Sequence, residues 1–269
     1  MSSRPPVIPP VDPEVQRHWE EYLESPDTFQ QLGRRVFSRI PAGPRCQMCA
    51  APFHGPGRHV MRLMGKKQSK INPIMCTTCE DHMLKYRGGA EINGTMLFAD
   101  IRGSTTLAET MTPTEFKATL ARFYTVAADA VYANSGVVDK FVGDELVAAF
   151  PPFLGVDTSS RAVKTAEDLL RATGHANPAG PWVPVGAGVN SGRMWFGVIG
   201  EGQHVEVTWV GDDVNVAARL AAEASQGEIL VTTAAAVAAG LDPSLERRSL
   251  ELKGKQEATE VVSLRIGPP

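Results

Sequence analysis

The chain has 269 residues, 43% of them hydrophobic and 21% charged, with four cysteines and a formal net charge of −3. That apolar content is enough for a sizeable core, and the slightly acidic balance excludes broad attraction of the whole chain to nucleic acid or to a membrane. No apolar run is long enough to span a bilayer, and no basic segment followed by an apolar one opens the sequence, so a cytoplasmic protein without a membrane span is expected.

Residues 1–13 carry Pro5, Pro6, Pro9, Pro10 and Pro13 and predict a disordered or polyproline-like start. From Val15 to Ile40, Trp19, Leu23, Phe29, Leu32, Val36 and Phe37 recur at roughly helical spacing, interrupted near Pro26. This reads as one broken helix or two short ones, whose apolar face packs on the body of the chain or joins a dimer. Residues 41–90 differ in composition: they hold all the cysteines, many glycines and prolines, and several basic residues, and end at Gly88-Gly89, a hinge signal. The expected divisions are therefore 1–40, 41–90 and 91–269.

Beyond Glu91 strands and helices alternate. Thr95–Ala99 is an apolar run of strand length, and Thr114–Asn134 is a helix with Phe116, Leu120, Phe123, Ala127 and Val131 on one stripe. Val137–Phe141 and Leu146–Phe150 flank Gly143-Asp144 and predict a hairpin. Ser159–Thr173 is a helix that Ser159 or Ser160 could cap. Val183–Asn190, Met194–Ile199 and Val205–Val210 read as three strands, Asp213–Ala224 as a helix and Glu228–Thr232 as a strand. A short helix near Ala234–Ala239 and two terminal strands complete the pattern, which fits an α+β sandwich with helices covering one main sheet. There is no internal repeat.

Two segments carry chemistry together. MLFADIRGST (Met96–Thr105) ends an apolar strand on Asp100, and KFVGDELVAAF (Lys140–Phe150) places Asp144 in a turn. Each carboxylate alone reads as a helix cap or a plain turn aspartate. Together they supply the hard anionic oxygens that Mg²⁺ requires, beside a Gly103-Ser104-Thr105 loop whose amides suit phosphate oxygens. Further on, Asn215 and Arg219 stand four apart and share one face of a helix, with Val214, Ala217, Ala218 and Ala221 opposite. They read either as a surface polar pair or as groups that hold a ribose and a phosphate.

The segments FADIRGST, KFVGDELVAAF and VGDDVNVAARL, in this order, resemble the class III nucleotidyl cyclases, the adenylate and guanylate cyclases, over roughly residues 92–266. The resemblance implies a class III cyclase-like α/β sandwich that works as a head-to-tail homodimer with its sites at the interface. It implies that Asp100, Asp144 and the Ile101 carbonyl hold two Mg²⁺ or Mn²⁺ ions. Asn215 would orient the ribose, Arg219 would stabilise charge on the transferring phosphate, and Lys253 would contact the triphosphate. In that family the base is read from the positions of Lys140 and Thr208. Lysine can donate to adenine N1 and threonine can accept from the N6 amine, whereas guanine presents a donor at N1. ATP is therefore the expected substrate and cyclic AMP the product. Guanylate cyclase activity and a catalytically silent scaffold are the alternatives. A diguanylate cyclase also has a Gly-Asp-Glu hairpin, but its signature has two glycines before the acidic pair and lacks the Asn215/Arg219 helix.

Cys46-Gln47-Met48-Cys49 and Cys76-Thr77-Thr78-Cys79 form two CxxC pairs, a structural zinc pattern that predicts a small zinc-ribbon-like module. An Fe–S cluster or a redox-active disulfide pair could use the same sulfurs. His54, His59 and His82 lie nearby as solvated loop residues. Arg58, Arg62, Lys66, Lys67, Lys70, Lys85 and Arg87 make the segment basic. With only Phe53 and Tyr86 for stacking, no nucleic-acid partner is expected, and the segment reads as structural or regulatory.

Overall fold

Why the chain builds one large sheet is visible in the strands. The computed structural model describes residues 12–24, 36–37, 44–46, 48–70, 75–200, 205–255 and 257–267. The strands are β1 (Gly89–Ile101), β2 (Val137–Val142), β3 (Glu145–Phe150), β4 (Val185–Ile199), β5 (Glu206–Val210), β6 (Glu228–Thr232), β7 (Arg247–Leu250) and β8 (Thr259–Arg265). They form a sheet in the order β2-β3-β1-β4-β6-β8-β7, with β5 beside β4. The β4–β6 pairing is parallel, while β1–β3, β2–β3, β6–β8 and β7–β8 are antiparallel.

The helices are α1 (Pro13–Glu24), α2 (Gly57–Leu63), α3 (Thr77–Lys85), α4 (Ser104–Thr110), α5 (Pro113–Ala133), α6 (Thr158–Ala172), α7 (Asp212–Glu223) and α8 (Thr233–Ala238). None of those among the described residues is long and apolar enough to cross a membrane. The chain packs as two units, residues 1–91 with 196–208 and residues 92–195 with 209–269.

In the larger unit the period-two alternation of the strands sends side chains to two cores. Leu97, Ala99, Ile101, Ile229, Val231 and Val262 join the buried faces of α5, α6 and α8. Their neighbours Leu230 and Val261 pack instead with Val216, Leu220 and Ala224 around α7. β6 is therefore covered on both sides and buried throughout. The α5 stripe is buried at Phe123, Ala127 and Val131, and half-buried at Phe116 and Leu120. Thr112 caps α5 reciprocally with Glu115, and Pro113 opens the helix.

Three local expectations need correction. Val183–Asn190 and Met194–Ile199 are not separate strands, because the chain stays extended through Ser191-Gly192-Arg193. Gly192 has no side chain, so the Asp213 carboxylate can lie against it and accept from the Arg193 amide at 2.9 Å. α6 is not capped by Ser159 or Ser160: Asp157 precedes the helix, and Ser159 Oγ instead meets the hydroxyls of Thr95 and Ser191 at 3.3 and 2.7 Å. Finally, β1 begins well before Thr95. Gly88 O accepts from Val198 N at 2.8 Å and Gly89 opens the strand, so the glycine pair is tied into hydrogen-bonded structure.

In the smaller unit the apolar face of α1 is buried through Trp19 and Leu23. Trp19 Nε1 donates to Tyr86 O at 2.7 Å, and its ring meets Phe196 edge-on at 5.9 Å. Here the helix packs on its own chain, the first of its two readings. The proline-rich start expected over residues 1–13 needs correction at its end, where Pro13 opens α1; residues 1–11, and residues 25–35 of the second helical piece, lie outside the described residues.

Candidate active site

The two carboxylates converge because the backbone brings them together. β1 pairs with β3 so that Asp100 stands opposite Glu145, with Asp144 one residue earlier in the β2–β3 turn. Gly143, the first turn residue, takes φ +61°, a conformation that glycine reaches without strain. Leu97, Ala99 and Ile101 belong to the helical core, so alternation sends Asp100 to the other face of the sheet. The Asp100 and Asp144 carboxyl groups lie within hydrogen-bonding reach, and Ile101 N lies 3.4 Å from Asp144 O.

Crowding of these carboxylates has an electrostatic consequence. Burial, together with Asp144 alongside, pushes Asp100 up to about 6 against the pull of Arg102. Burial and the charges of Asp100 and Asp144 push Glu145 up to about 7. A carboxyl cluster that resists shared ionisation is a donor set of hard oxygens suited to divalent cations. Arg102 partly offsets the charge by pairing with Asp100, while its Nη1 donates to Ala222 O in the last turn of α7 at 2.9 Å. Tyr124 OH donates to Gly143 O and its ring stacks on Phe141 at 3.9 Å, which braces the turn.

A second cluster stands on α7 and the β7–β8 connection. α7 sits unusually close to β4, because a Cβ added at Gly188 would meet Ala221 N at 2.3 Å and Ala217 O at 2.5 Å. The small-residue face of the helix thus packs inward at Val214, Ala217 and Ala221, with Ala218 half-buried, and leaves Asn215 exposed. Arg219 lies against the turn containing Gly254: a Cβ built there would sit 3.4 Å from Arg219 Nη2. Arg219 Nη1 is buried and, among the described residues, has no hydrogen-bond partner. A cation with an unused donor is suited to receive an anion. Lys253 is exposed in that same turn, and Lys255 pairs with Asp212 at the start of α7.

Lys140 is half-buried on β2 beside Asp139, at 3.6 Å, where the register of the β2–β3 pairing shifts. Thr208 is buried on β5. The two belong to different packing units. Gly103, at φ +66°, precedes the short helix α4, with Ser104 and Thr105 in its first turn.

Sequence reasoning did not single out Glu145, Tyr124 or Asp139, and it placed Arg102 only at the head of the phosphate loop Arg102-Gly103-Ser104-Thr105. Glu145 adjoins Asp144, and only the antiparallel register shows that it faces Asp100. Arg102 lies inside the quoted motif, but its reach to α7 is a tertiary fact. Asp139 gave a weak sequence signal: a charge inside an apolar strand beside a lysine.

The cysteines form a separate centre. The four Sγ atoms of Cys46, Cys49, Cys76 and Cys79 all lie within 4.8 Å of one another. All four are free of disulfides, and Cys49 and Cys76 are 3.8 Å apart at sulfur. A zinc–sulfur bond of about 2.3 Å gives a tetrahedral edge of about 3.8 Å, so the donor set fits a tetrahedral metal ion. Cys46 draws the Cys49 thiol down to about 7, and Cys46, Cys49 and Cys79 together draw Cys76 lower still. Cys76 N donates to Cys46 Sγ at 3.3 Å, and Lys66 Nζ stands 3.9 Å from Cys49 Sγ. His54 and His59 are exposed, although His59 lies on α2 rather than in a loop; His82 is not a solvated loop residue, being half-buried on α3 with its Nε2 3.1 Å from His18 Nε2.

A sequence profile described as "Adenylate and Guanylate cyclase catalytic domain" matches residues 90–264. The chain is 31% identical over 182 residues to an adenylate cyclase of Dictyostelium discoideum, described as terminal-differentiation specific; the match covers 64% of this chain and 9% of that protein. It is 28% identical over 183 residues to an adenylate cyclase of Anabaena cylindrica, covering 64% of this chain and 36% of the other. Among solved structures, the guanylyl cyclase Cya2 superposes with a TM-score of 0.61 at 25% identity, covering 68% of this chain and 96% of that one. The chain thus spans 9% and 36% of the two curated relatives.

Proposed function

Because this chain belongs to the adenylate and guanylate cyclase catalytic-domain family, we propose that it converts ATP to 3′,5′-cyclic AMP and pyrophosphate. The observation that carries this reading is the convergence of Asp100 and Asp144 at the end of β1 and the tip of the β2–β3 hairpin. Asp100, Asp144 and the Ile101 carbonyl would hold two Mg²⁺ or Mn²⁺ ions. Bound there, such ions would lower the pKa of the attacking hydroxyl and neutralise phosphate charge.

The protein's own groups do the rest. The ribose 3′-oxygen attacks the α-phosphorus, the bond to the β-phosphate oxygen breaks, and pyrophosphate leaves as the hydroxyl proton is lost. Asn215 orients the ribose. Arg219, whose Nη1 has a donor to spare, meets negative charge as it builds in the transition state. Lys253 and the amides of Gly103, Ser104 and Thr105 hold the phosphates. Lys140 donates to adenine N1 and Thr208 accepts from its N6 amine.

The two half-sets, carboxylates on β1 and the β2–β3 turn and cationic and amide groups on α7 and the β7–β8 turn, supply both sides of a site shared between protomers. A homodimer would then hold two equivalent sites. Cys46, Cys49, Cys76 and Cys79 would hold one zinc ion, which would keep their module folded for a structural or regulatory role.

Incubation of the purified protein with ATP or with GTP, each with Mg²⁺ or Mn²⁺, followed by identification of the product, tests the reading directly. Cyclic AMP formed in preference to cyclic GMP is expected. The likeness to a guanylyl cyclase structure makes preferential turnover of GTP the second reading, and that result would reassign Lys140 and Thr208.

A further inference from the structure

The net charge of −3 conceals a strongly basic region. Between Asp27 and Glu80 the sequence contains no aspartate or glutamate. Arg58, Arg62, Lys67 and Lys70 are all exposed in or just after α2. Lys66 is different, being half-buried near Cys49 Sγ.

The same short segment exposes large apolar side chains. Leu63 is 90% exposed, Val60 55% and Met64 53%. Leu63 is the most exposed large hydrophobic residue among those described. The geometry of the helix explains its position. Gly57 and Met61 are the buried residues of α2 and mark its inward face. Leu63, two positions beyond Met61, is rotated by about 200° from it and so faces outward. Met64 ends the helix, and Gly65, at φ +76°, turns the chain back toward the cysteines. Backbone bonds from Lys66 N to Met61 O, at 2.8 Å, and from Thr77 N to Lys67 O, at 2.7 Å, fix this turn. The apolar residues therefore stand exposed on one flank of an ordered segment whose other flank carries Arg58 and Arg62, with Lys67 and Lys70 following in the chain.

We propose that this projection docks on an anionic lipid surface. Leu63, Met64 and Val60 enter the boundary between headgroups and acyl chains, and Arg58, Arg62, Lys67 and Lys70 face the lipid phosphates. Each part of the patch matches one part of that partner. Exposed aliphatic tips gain free energy only where they leave water. Cations in a stretch of sequence that holds no aspartate or glutamate gain where the facing surface is uniformly negative. Nucleic acid fits the cations but not the aliphatic tips, since no phenylalanine, tyrosine or tryptophan ring is exposed among them for base stacking.

The test uses the full chain and two kinds of vesicle, phosphatidylcholine alone and phosphatidylcholine mixed equally with phosphatidylglycerol. Cosedimentation with the anionic vesicles, weakened by added salt, and none with the neutral ones are expected. Leu63→Asp should weaken binding about tenfold or more, the cost of leaving one leucine in water. Arg62→Glu should weaken it to a similar degree. Val237→Asp, at a residue 71% exposed on α8, should leave it unchanged. Circular dichroism and metal content of the variants confirm that the fold is retained. Failure of the wild-type chain to sediment with anionic vesicles overturns the proposal, as does binding that survives Leu63→Asp. Binding to duplex DNA that depends on Arg62 and not on Leu63 would assign the cations to nucleic acid instead. A dimer that Leu63→Asp dissociates in sedimentation velocity would assign the projection to a second copy of the chain.

Discussion

Asp100 and Glu145 are held at about 6 and about 7, above the ordinary carboxylate range of about 4. The folded chain therefore binds more protons than the unfolded chain through this interval. The sign follows: stability falls as pH rises from about 4 to about 7, where the unfolded carboxylates are ionised and the folded ones still resist. A divalent cation held by these groups removes the conflict. Thermal melts of the metal-free protein should show a lower midpoint at about pH 7.5 than at about pH 5. Added Mn²⁺ should raise the midpoint more at the higher pH, and equal Mn²⁺ effects at both would discard carboxylate crowding as the reason. Arg219 belongs to the same scale. Its buried Nη1 has no partner among the described residues, so its cost is recovered only when an anion arrives. Arg219→Ala should lower kcat on the order of 10²-fold with a smaller effect on KM, because the charge it meets develops in the transition state. Steady-state kinetics decide this, and an unchanged kcat would take Arg219 out of the chemistry.

At the scale of elements, α7 is held to β4 by the lack of side chains at Gly188 and Gly192. A Cβ at Gly188 would meet backbone atoms of α7 at 2.3 and 2.5 Å, and backbone cannot rotate away as a flexible side chain can. Gly188→Ala should therefore destabilise the protein by about 1–3 kcal/mol and push α7 outward, moving Asn215 and Arg219 together. Denaturant unfolding combined with kinetics checks both parts. A variant of wild-type stability and full activity would mean that this close approach does not position the pair. The β2–β3 hairpin shows the complementary case. Its tip carries Asp144 on a two-residue turn braced by Tyr124 and by the Ile101 amide of β1, so the placement of a ligand rests on turn geometry and on contacts from two other elements.

For the whole molecule, two arrangements can be tested. If carboxylates and Arg219 act across a dimer, inactive Asp100→Ala and inactive Arg219→Ala chains should regain activity when mixed, since one of the two heterodimer sites is then intact. Activity measured after verified subunit exchange decides it, and no recovery would place both half-sets of a site on one chain. The cysteine cluster is the second case. Four sulfurs within 4.8 Å of one another predict about one zinc per chain in a colourless protein. Iron content with visible absorption would mean a cluster of another kind. Cys76→Ser should lose the metal and unfold its module, because so small a segment depends on its metal for a core. The residues of the larger unit should keep their cooperative transition, since Leu97, Phe123, Leu169 and Val231 form a core without it.

The sequence by itself determined the alternating elements, the three motif segments and the two CxxC pairs, because each is written in local spacing. Apolar periodicity marks β6 and α5 with no knowledge of their neighbours, and Asp100 and Asp144 stand out by the strands and turns beside them. It read less well where a residue's role depends on what faces it across the fold. Val183–Asn190 and Met194–Ile199 read as separate strands, and only the Asp213 carboxylate lying against Gly192 shows why the chain stays extended between them. Ser159 looked like a helix cap, but Thr95 and Ser191 offer its hydroxyl partners from distant parts of the sequence. Glu145 became part of the carboxylate group only through the β1–β3 register, and Arg102 reached α7 across 120 positions of chain. The tertiary structure alone decided these points, because strand register and helix packing are settled by contacts between segments whose spacing in sequence carries no record of the pairing.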